Sequence, residues 1–231
     1  MTLSSEATVF VVDDDDAVRE SLRWLIGSVG LAVEAYPGAA EFLAAAGDDR
    51  PGCIVLDVRM PGVMGGLELQ QRLSERGALW PVIILTGHGD VPLAVRALQA
   101  GAFDFIEKPF NDQHLLDRIY AALRLERERR TAAAARADAA ARLATLTKRE
   151  RDVLAGVLRG YANKRIALTA GMAEKTVEVH RANLMRKLRV DSVPALCGLV
   201  SLVDPSALGG DHPSARSALS RDETPDDGLP T

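Results

Sequence analysis

Five short runs of branched or aromatic residues punctuate the first half of the chain: TVFVV at 8–12, AVEAY at 32–36, CIVL at 53–56, VIIL at 82–85 and FDFI at 103–106. Runs of this length and composition predict β-strands. Between them lie segments of helical length, at 15–28, 38–46, 66–76 and 91–100, with a longer one beginning near 112. Regular alternation of strand and helix predicts a parallel sheet with helices on both faces, an α/β (βα)5 domain. From about Leu116 to Leu146 the chain turns to Ala, Arg, Leu and Glu, and the tract TAAAARADAAARLA contains neither Gly nor Pro. Such residues favour a helical linker over a loose one. Residues 148–202 read as all helix, with breaks at Gly160, Gly171 and Asp191-Ser192. After Asp204 the chain is polar and punctuated by Pro and Gly, so a disordered tail is expected. The expected divisions are 1–120, a linker at 121–144, a helical domain at 145–204 and a tail at 205–231.

Composition supports two modest domains: 231 residues, 47% apolar and 26% charged. No apolar run approaches the roughly 20 residues of a membrane span, and MTLSSEATVF lacks the basic stretch and apolar core of a secretion signal. A cytoplasmic protein without membrane contact is expected. The two cysteines, Cys53 and Cys197, offer neither a zinc spacing nor a disulfide framework and read as inert core thiols. The net charge of −4 conceals a division: residues 1–125 carry 10 basic and 18 acidic side chains, residues 148–203 carry 11 and 5. An acidic half and a basic half suggest different partners.

In open parallel sheets, functional groups gather at the carboxyl ends of the strands, where strand order reverses. Here VFVV runs into Asp13-Asp14, and CIVL runs into Asp57. If those strands are neighbours, three carboxylates converge. Two carboxylates about 5 Å apart at an effective dielectric of about 20 repel by roughly 3 kcal/mol, so the cluster calls for a cation. An all-oxygen site without His or Cys suits Mg²⁺, which completes its shell with water and phosphate oxygens. Asp15 and Asp16 read more simply as a solvated helix start.

The segments VVDDDDAVRESL, LDVRMPGVMGGLEL and PVIILTGHGDVPLAVRALQAGAFDFIEKPF, in that order, resemble the receiver domains of two-component response regulators, most strongly the FixJ-like group. The resemblance covers about residues 7–125 and implies a flavodoxin-like fold. It implies that Asp57 accepts a phosphoryl group, that Asp13, Asp14 and the backbone carbonyl of Arg59 hold Mg²⁺ with it, that Thr86 bonds a phosphoryl oxygen and that Lys108 pairs with the phosphate. Lys108-Pro109 resembles the family's cis peptide. Phe105 matches the aromatic switch position, although a strand Phe is by itself more often plain core. Arg59 and His88 lie two residues beyond Asp57 and Thr86, at mouth positions that in receivers influence the lifetime of the phosphoryl group. The face around 91–106 is where phosphorylated receivers of this group dimerise, and a sensor histidine kinase is the implied partner.

In the basic segment, helical spacing puts Val179, Ala182 and Arg186 near Lys175, with Val177, Leu184 and Leu188 near the opposite side. One face would pack and the other, flanked by Glu178 and Asn183, would be free. Cations, small apolar groups and a carboxylate suit the major groove of duplex DNA. Tyr161 is the sole aromatic residue between 148 and 203, so single-strand stacking is not provided for. LTKRERDVL, GYANKRIA and KTVEVHRANLMRKL look like the LuxR/NarL-type four-helix helix-turn-helix. That resemblance implies base-edge contacts by Lys175, Glu178, Val179 and Ala182, and backbone-phosphate contacts by Thr176, His180, Lys164 and Lys187. Promoter DNA and RNA polymerase are the implied partners, and 192–202 the last helix. Two residues depart from the pattern. Ala173 stands where a Ser or Thr caps the recognition helix, and Ala170 where Leu is usual, so a marginally stable domain that firms up on DNA is expected. Two other readings remain open at this point: a Mg-dependent phosphatase using Asp13 and Asp15, and a constitutive nucleic-acid binder.

Overall fold

The computed structural model of the protein describes residues 7–47, 50–60, 64–87 and 91–208, the side chains of 91–94 and 207–208 excepted. The chain divides into two compact units, the first ending at Ala132 and the second beginning at Ala133. In the first, strands β1 (Thr8–Val12), β2 (Ala32–Tyr36), β3 (Gly52–Asp57), β4 (Val82–Thr86) and β5 (Asp104–Glu107) form one sheet in the order β2-β1-β3-β4-β5. Every pairing is parallel. Helices α1 (Asp16–Ser28), α2 (Ala39–Ala45), α3 (Gly66–Glu75), α4 (Val91–Gln99) and α5 (Asp112–Ala144) alternate with the strands, as the periodicity predicts.

β1, β3 and β4 are buried at every position, which is why they read as unbroken apolar runs. Successive residues serve opposite faces. Phe10, Val12, Ile54, Leu56 and Ile84 meet Phe42 of α2 and Leu69 and Leu73 of α3. Val9, Val11, Val55, Ile83 and Leu85 meet Leu22 and Ile26 of α1 and Leu115 and Ile119 of α5. Asp15 caps α1, its Oδ1 accepting from the amides of Ala17 at 2.8 Å and Val18 at 3.3 Å, and Asp16 pairs with Arg19. Both therefore belong to the helix start.

The expected linker is helical, but it is the continuation of α5, and its two ends belong to two different cores. Ala122, Leu123 and Glu126 are buried in the first unit and Ala139 in the second, while 131–138 are exposed. The second unit holds α6 (Lys148–Leu158), α7 (Asn163–Ala170), α8 (Glu174–Leu188) and α9 (Val193–Val203) around Val153, Ile166, Val177, Leu184, Leu188 and Leu196. Gly171 ends α7 at φ 62°, a left-handed conformation that glycine adopts without a Cβ penalty. A Cβ on Gly156 would stand 2.6 Å from Ile166 Cγ1, so α6 and α7 approach through a glycine.

Two expectations need correction. Pro205–Leu208 form a short 3-10 turn, so the structured chain runs past Asp204; residues 209–231, the rest of the expected tail, lie outside the described residues. Cys53 is a core thiol whose pKa burial pushes far up, but Cys197 is half-buried, because α9 turns its Leu196, Leu199 and Val200 face inward instead.

Candidate acidic site and nucleic-acid interface

Strand order reverses at β1, between β2 and β3, and the register Val12↔Leu56 brings the ends of β1 and β3 level. Asp13 and Asp57 thereby emerge side by side. Oxygens of Asp13, Asp14 and Asp57 all lie within 4.8 Å of one another. Asp13 and Asp57 are buried, and Asp14 is exposed. Lys108, just beyond β5, reaches Asp13 Oδ2 at 2.7 Å and Asp57 Oδ2 at 3.6 Å. Its amide donates to the Thr86 carbonyl at 2.7 Å, and the Lys108-Pro109 peptide is cis. The Arg59 amide donates to Asp57 Oδ1 at 3.4 Å.

The electrostatics are unbalanced. Burial pushes the Asp57 carboxyl above its ordinary range, Lys108 pulls it down, and Asp13 and Asp14 push it up again. One ammonium among three carboxylates leaves a net negative, all-oxygen pocket open at Asp14. That donor set fits a hard divalent cation. Thr86 is buried at the end of β4, its hydroxyl donating to the Gly87 carbonyl at 3.4 Å. Phe105 is 39% exposed on β5, so the plain-core alternative for it does not hold. Arg59 is exposed, while His88 lies outside the described residues.

Gly66 also shapes the site. It starts α3 against the Asp57–Val58 backbone, and a Cβ there would stand 2.4 Å from the Asp57 carbonyl oxygen and 2.9 Å from Val58 Cα. The doubled glycine at 65–66 was the available signal.

In the second unit, α8 divides as its periodicity predicts. Val177, Leu184 and Leu188 are fully buried, whereas Lys175, Thr176, Glu178, Val179, Ala182 and Arg186 are exposed and His180 is half-buried. Lys175 Nζ donates to Glu178 Oε2 at 2.9 Å, which holds the Lys175 pKa up. Lys164 is exposed on α7. Arg181 Nη1 donates to Asn163 Oδ1 at 3.2 Å and ties α8 to the start of α7.

Lys187, expected as a phosphate contact, also has an internal partner. Its Nζ lies 2.7 Å from Oε2 of buried Glu150 and 3.3 Å from the Thr145 carbonyl. Leaving the core carboxylate without that ammonium would be costly, so Lys187 also supports the fold. The Lys187 hydrogen bond and the Thr147 amide hold the Glu150 carboxyl down at about 2. Ala173 and Ala162, at the N-caps of α8 and α7, accept no capping hydrogen bond through their side chains.

The fold and the pocket define a class of protein: an open parallel α/β domain with an acidic site at its switch point, followed by a helix-turn-helix. Residues 9–120 match the response regulator receiver domain, and residues 144–200 match the luxR family of bacterial regulatory proteins. The transcriptional regulatory protein FixJ of Azorhizobium caulinodans is 50% identical over 84% of this chain and 92% of its own length. The response regulator protein TodT of Pseudomonas putida is 45% identical over 82% of this chain and 83% of its own. Among solved structures, response regulator StyR superposes with a TM-score of 0.77 at 47% identity, covering 85% of this chain and 98% of that one. The chain belongs to the response regulators, FixJ-like in type, with a receiver joined to a luxR-type DNA-binding domain. No helix among the described residues is long and apolar enough to cross a membrane.

Proposed function

We propose that this regulator switches promoter binding through phosphorylation of Asp57, and the observation that carries the reading is the meeting of Asp13, Asp14, Asp57 and Lys108 at one strand edge. An Asp57 carboxylate oxygen attacks the phosphorus of a phosphohistidine on a sensor kinase. The P–N bond breaks, and the histidine leaves and takes up a proton. Asp13, Asp14, Asp57 and the Arg59 carbonyl are the residues that would hold Mg²⁺, which when bound supplies charge neutralisation for the phosphoryl oxygens. Lys108 turns from the carboxylates to the new phosphate, and the Thr86 hydroxyl donates to one of its oxygens. Arg59 and His88, two residues beyond Asp57 and Thr86 in the sequence, set how fast water reaches the phosphorus.

Thr86 moving toward the phosphate leaves room for Phe105 to swing inward. That changes a face on which Val95, Leu98 and Phe105 are exposed apolar side chains, and this supports pairing of two receivers through 91–106. Paired helix-turn-helix units then read half-sites about one helical turn, roughly 34 Å, apart. Lys175, Glu178, Val179 and Ala182 face base edges, while Thr176, His180, Lys164 and Lys187 position the phosphate backbone. The protein acts in the cytoplasm as a regulator rather than a turnover enzyme, with RNA polymerase as the downstream partner.

The test is phosphorylation by acetyl phosphate in Mg²⁺, followed by size measurement and promoter binding. Wild type should take up one phosphoryl group per chain, dimerise and bind DNA more tightly, and Asp57→Ala should do none of these. Equal promoter affinity in both proteins would overturn the reading in favour of constitutive binding. Continuous turnover of phosphate esters would overturn it in favour of a phosphatase.

A further inference from the structure

Every polar atom of Asp13 is engaged. Its amide donates to the Tyr36 carbonyl at 3.2 Å, its Oδ1 accepts from the Asp15 amide at 2.9 Å, and its Oδ2 accepts from Lys108. The remaining atom is the main-chain carbonyl, at the bend where β1 ends. It accepts from Arg19 Nη1 at 2.6 Å, reaching back from the first turn of α1. The Arg19 side chain is largely buried, its amide donates to the Asp15 carbonyl at 3.0 Å, and its guanidinium also pairs with exposed Asp16.

This carbonyl belongs to the peptide that joins Asp13 to Asp14. Its plane decides the direction in which Asp14 leaves the backbone, and Asp14 is the exposed member of the cluster. A short, charge-assisted hydrogen bond is a stiff restraint on that plane. The two carboxylates repel each other, so without a restraint the bend would relax by turning Asp14 away. Asp16 offsets the Arg19 charge, and the guanidinium can brace the bend without adding a net cation beside a cation site.

We infer that Arg19 is a positioning residue for the metal: it holds the Asp13–Asp14 peptide so that both carboxylates stand at the site before Mg²⁺ arrives. The inference rests on the Mg²⁺ reading of the acidic cluster. Preorganisation of this kind raises affinity by removing the cost of ordering the ligands on binding.

The experiment is calorimetric titration of the full chain with MgCl₂, for wild type, Arg19→Ala, Arg19→Lys and Asp16→Asn. Arg19→Ala should raise the Mg²⁺ Kd by about fivefold or more, the order expected for losing one charge-assisted hydrogen bond. Arg19→Lys should restore most of the affinity, and Asp16→Asn should stay within about twofold of wild type. Phosphorylation of Arg19→Ala by acetyl phosphate should be slow at limiting Mg²⁺ and recover at saturating Mg²⁺. Wild type that binds Mg²⁺ no better than Arg19→Ala overturns the inference while leaving the metal reading intact. Wild type that binds no Mg²⁺ overturns both. A deficit equal in Asp16→Asn, or one that saturating Mg²⁺ does not repair, also overturns it, by pointing to charge or to general loss of structure.

Discussion

At the carboxyl edge of the sheet, Asp13 and Asp57 are buried beside Asp14 with Lys108 reaching both of them; in the second unit, Glu150 is buried against Lys187 inside a complete capping box with Thr147. Burial and neighbouring acids raise the Asp57 pKa, whereas hydrogen bonding lowers that of Glu150 to about 2. The shifts of Asp57 and Glu150 thus run in opposite directions. One is penalised by burial and by its like-charged neighbours. The other is satisfied internally and supports the domain. A residue whose burial costs stability is a candidate for chemistry; one whose partners already complete it is a candidate for architecture.

The sharpest way to break this contrast is to remove each carboxylate's charge. Glu150→Gln should destabilise the second unit by about 2 kcal/mol, because Lys187 loses its ion pair at a site that is nearly closed to water. The same pair gives a pH signature. The folded-state pKa lies below the ordinary 4.5, so the contribution is complete above that value and is lost as pH falls through about 2. Acid melts of the wild type should show this loss, and those of Glu150→Gln should be flatter over that window; parallel melts would contradict the assignment.

Asp57→Asn should act in the opposite direction and raise the stability of the metal-free first unit by about 1 kcal/mol at neutral pH. The folded state holds this proton more tightly than the unfolded chain, so the cost of ionisation appears as pH rises past the ordinary 3.8. Hydrogen exchange of the first unit, compared between pH 7 and pH 3, should show the variant's advantage only at the higher pH. The smallest effect concerns the end of α8. Ala173→Ser supplies the missing cap and should add about 0.5 kcal/mol to the second unit, measured by denaturant unfolding; no gain would mean that the α8 amides are already satisfied.

The residues differ in how openly they announced these roles. The helical period marked Val177, Leu184 and Leu188 as the packed side of α8, and the acids at the ends of two apolar runs marked Asp13, Asp14 and Asp57, since both patterns are local. Lys187 shows what local reading misses: the resemblance implies only a phosphate contact, while its partner Glu150 is 37 residues away. Gly156 is likewise silent, and Gly66 is marked only by its doubling with Gly65, because what excludes a side chain there is the Ile166 side chain of another helix or the Asp57–Val58 backbone. The half-buried position of Cys197 has a related cause, since an almost wholly apolar α9 does not announce which side it buries.

The sequence by itself determined the alternation of strands and helices, the acids that end β1 and β3, and the free face of α8, because each follows from a repeat of 2 or 3.6 residues or from residues next to one another. Only the tertiary structure decided that Lys187 neutralises Glu150, that Phe105 stands exposed on β5, and that Arg19 reaches back to the Asp13 carbonyl. Those depend on which atoms lie within about 3 Å after the chain has folded, a distance that no local pattern encodes.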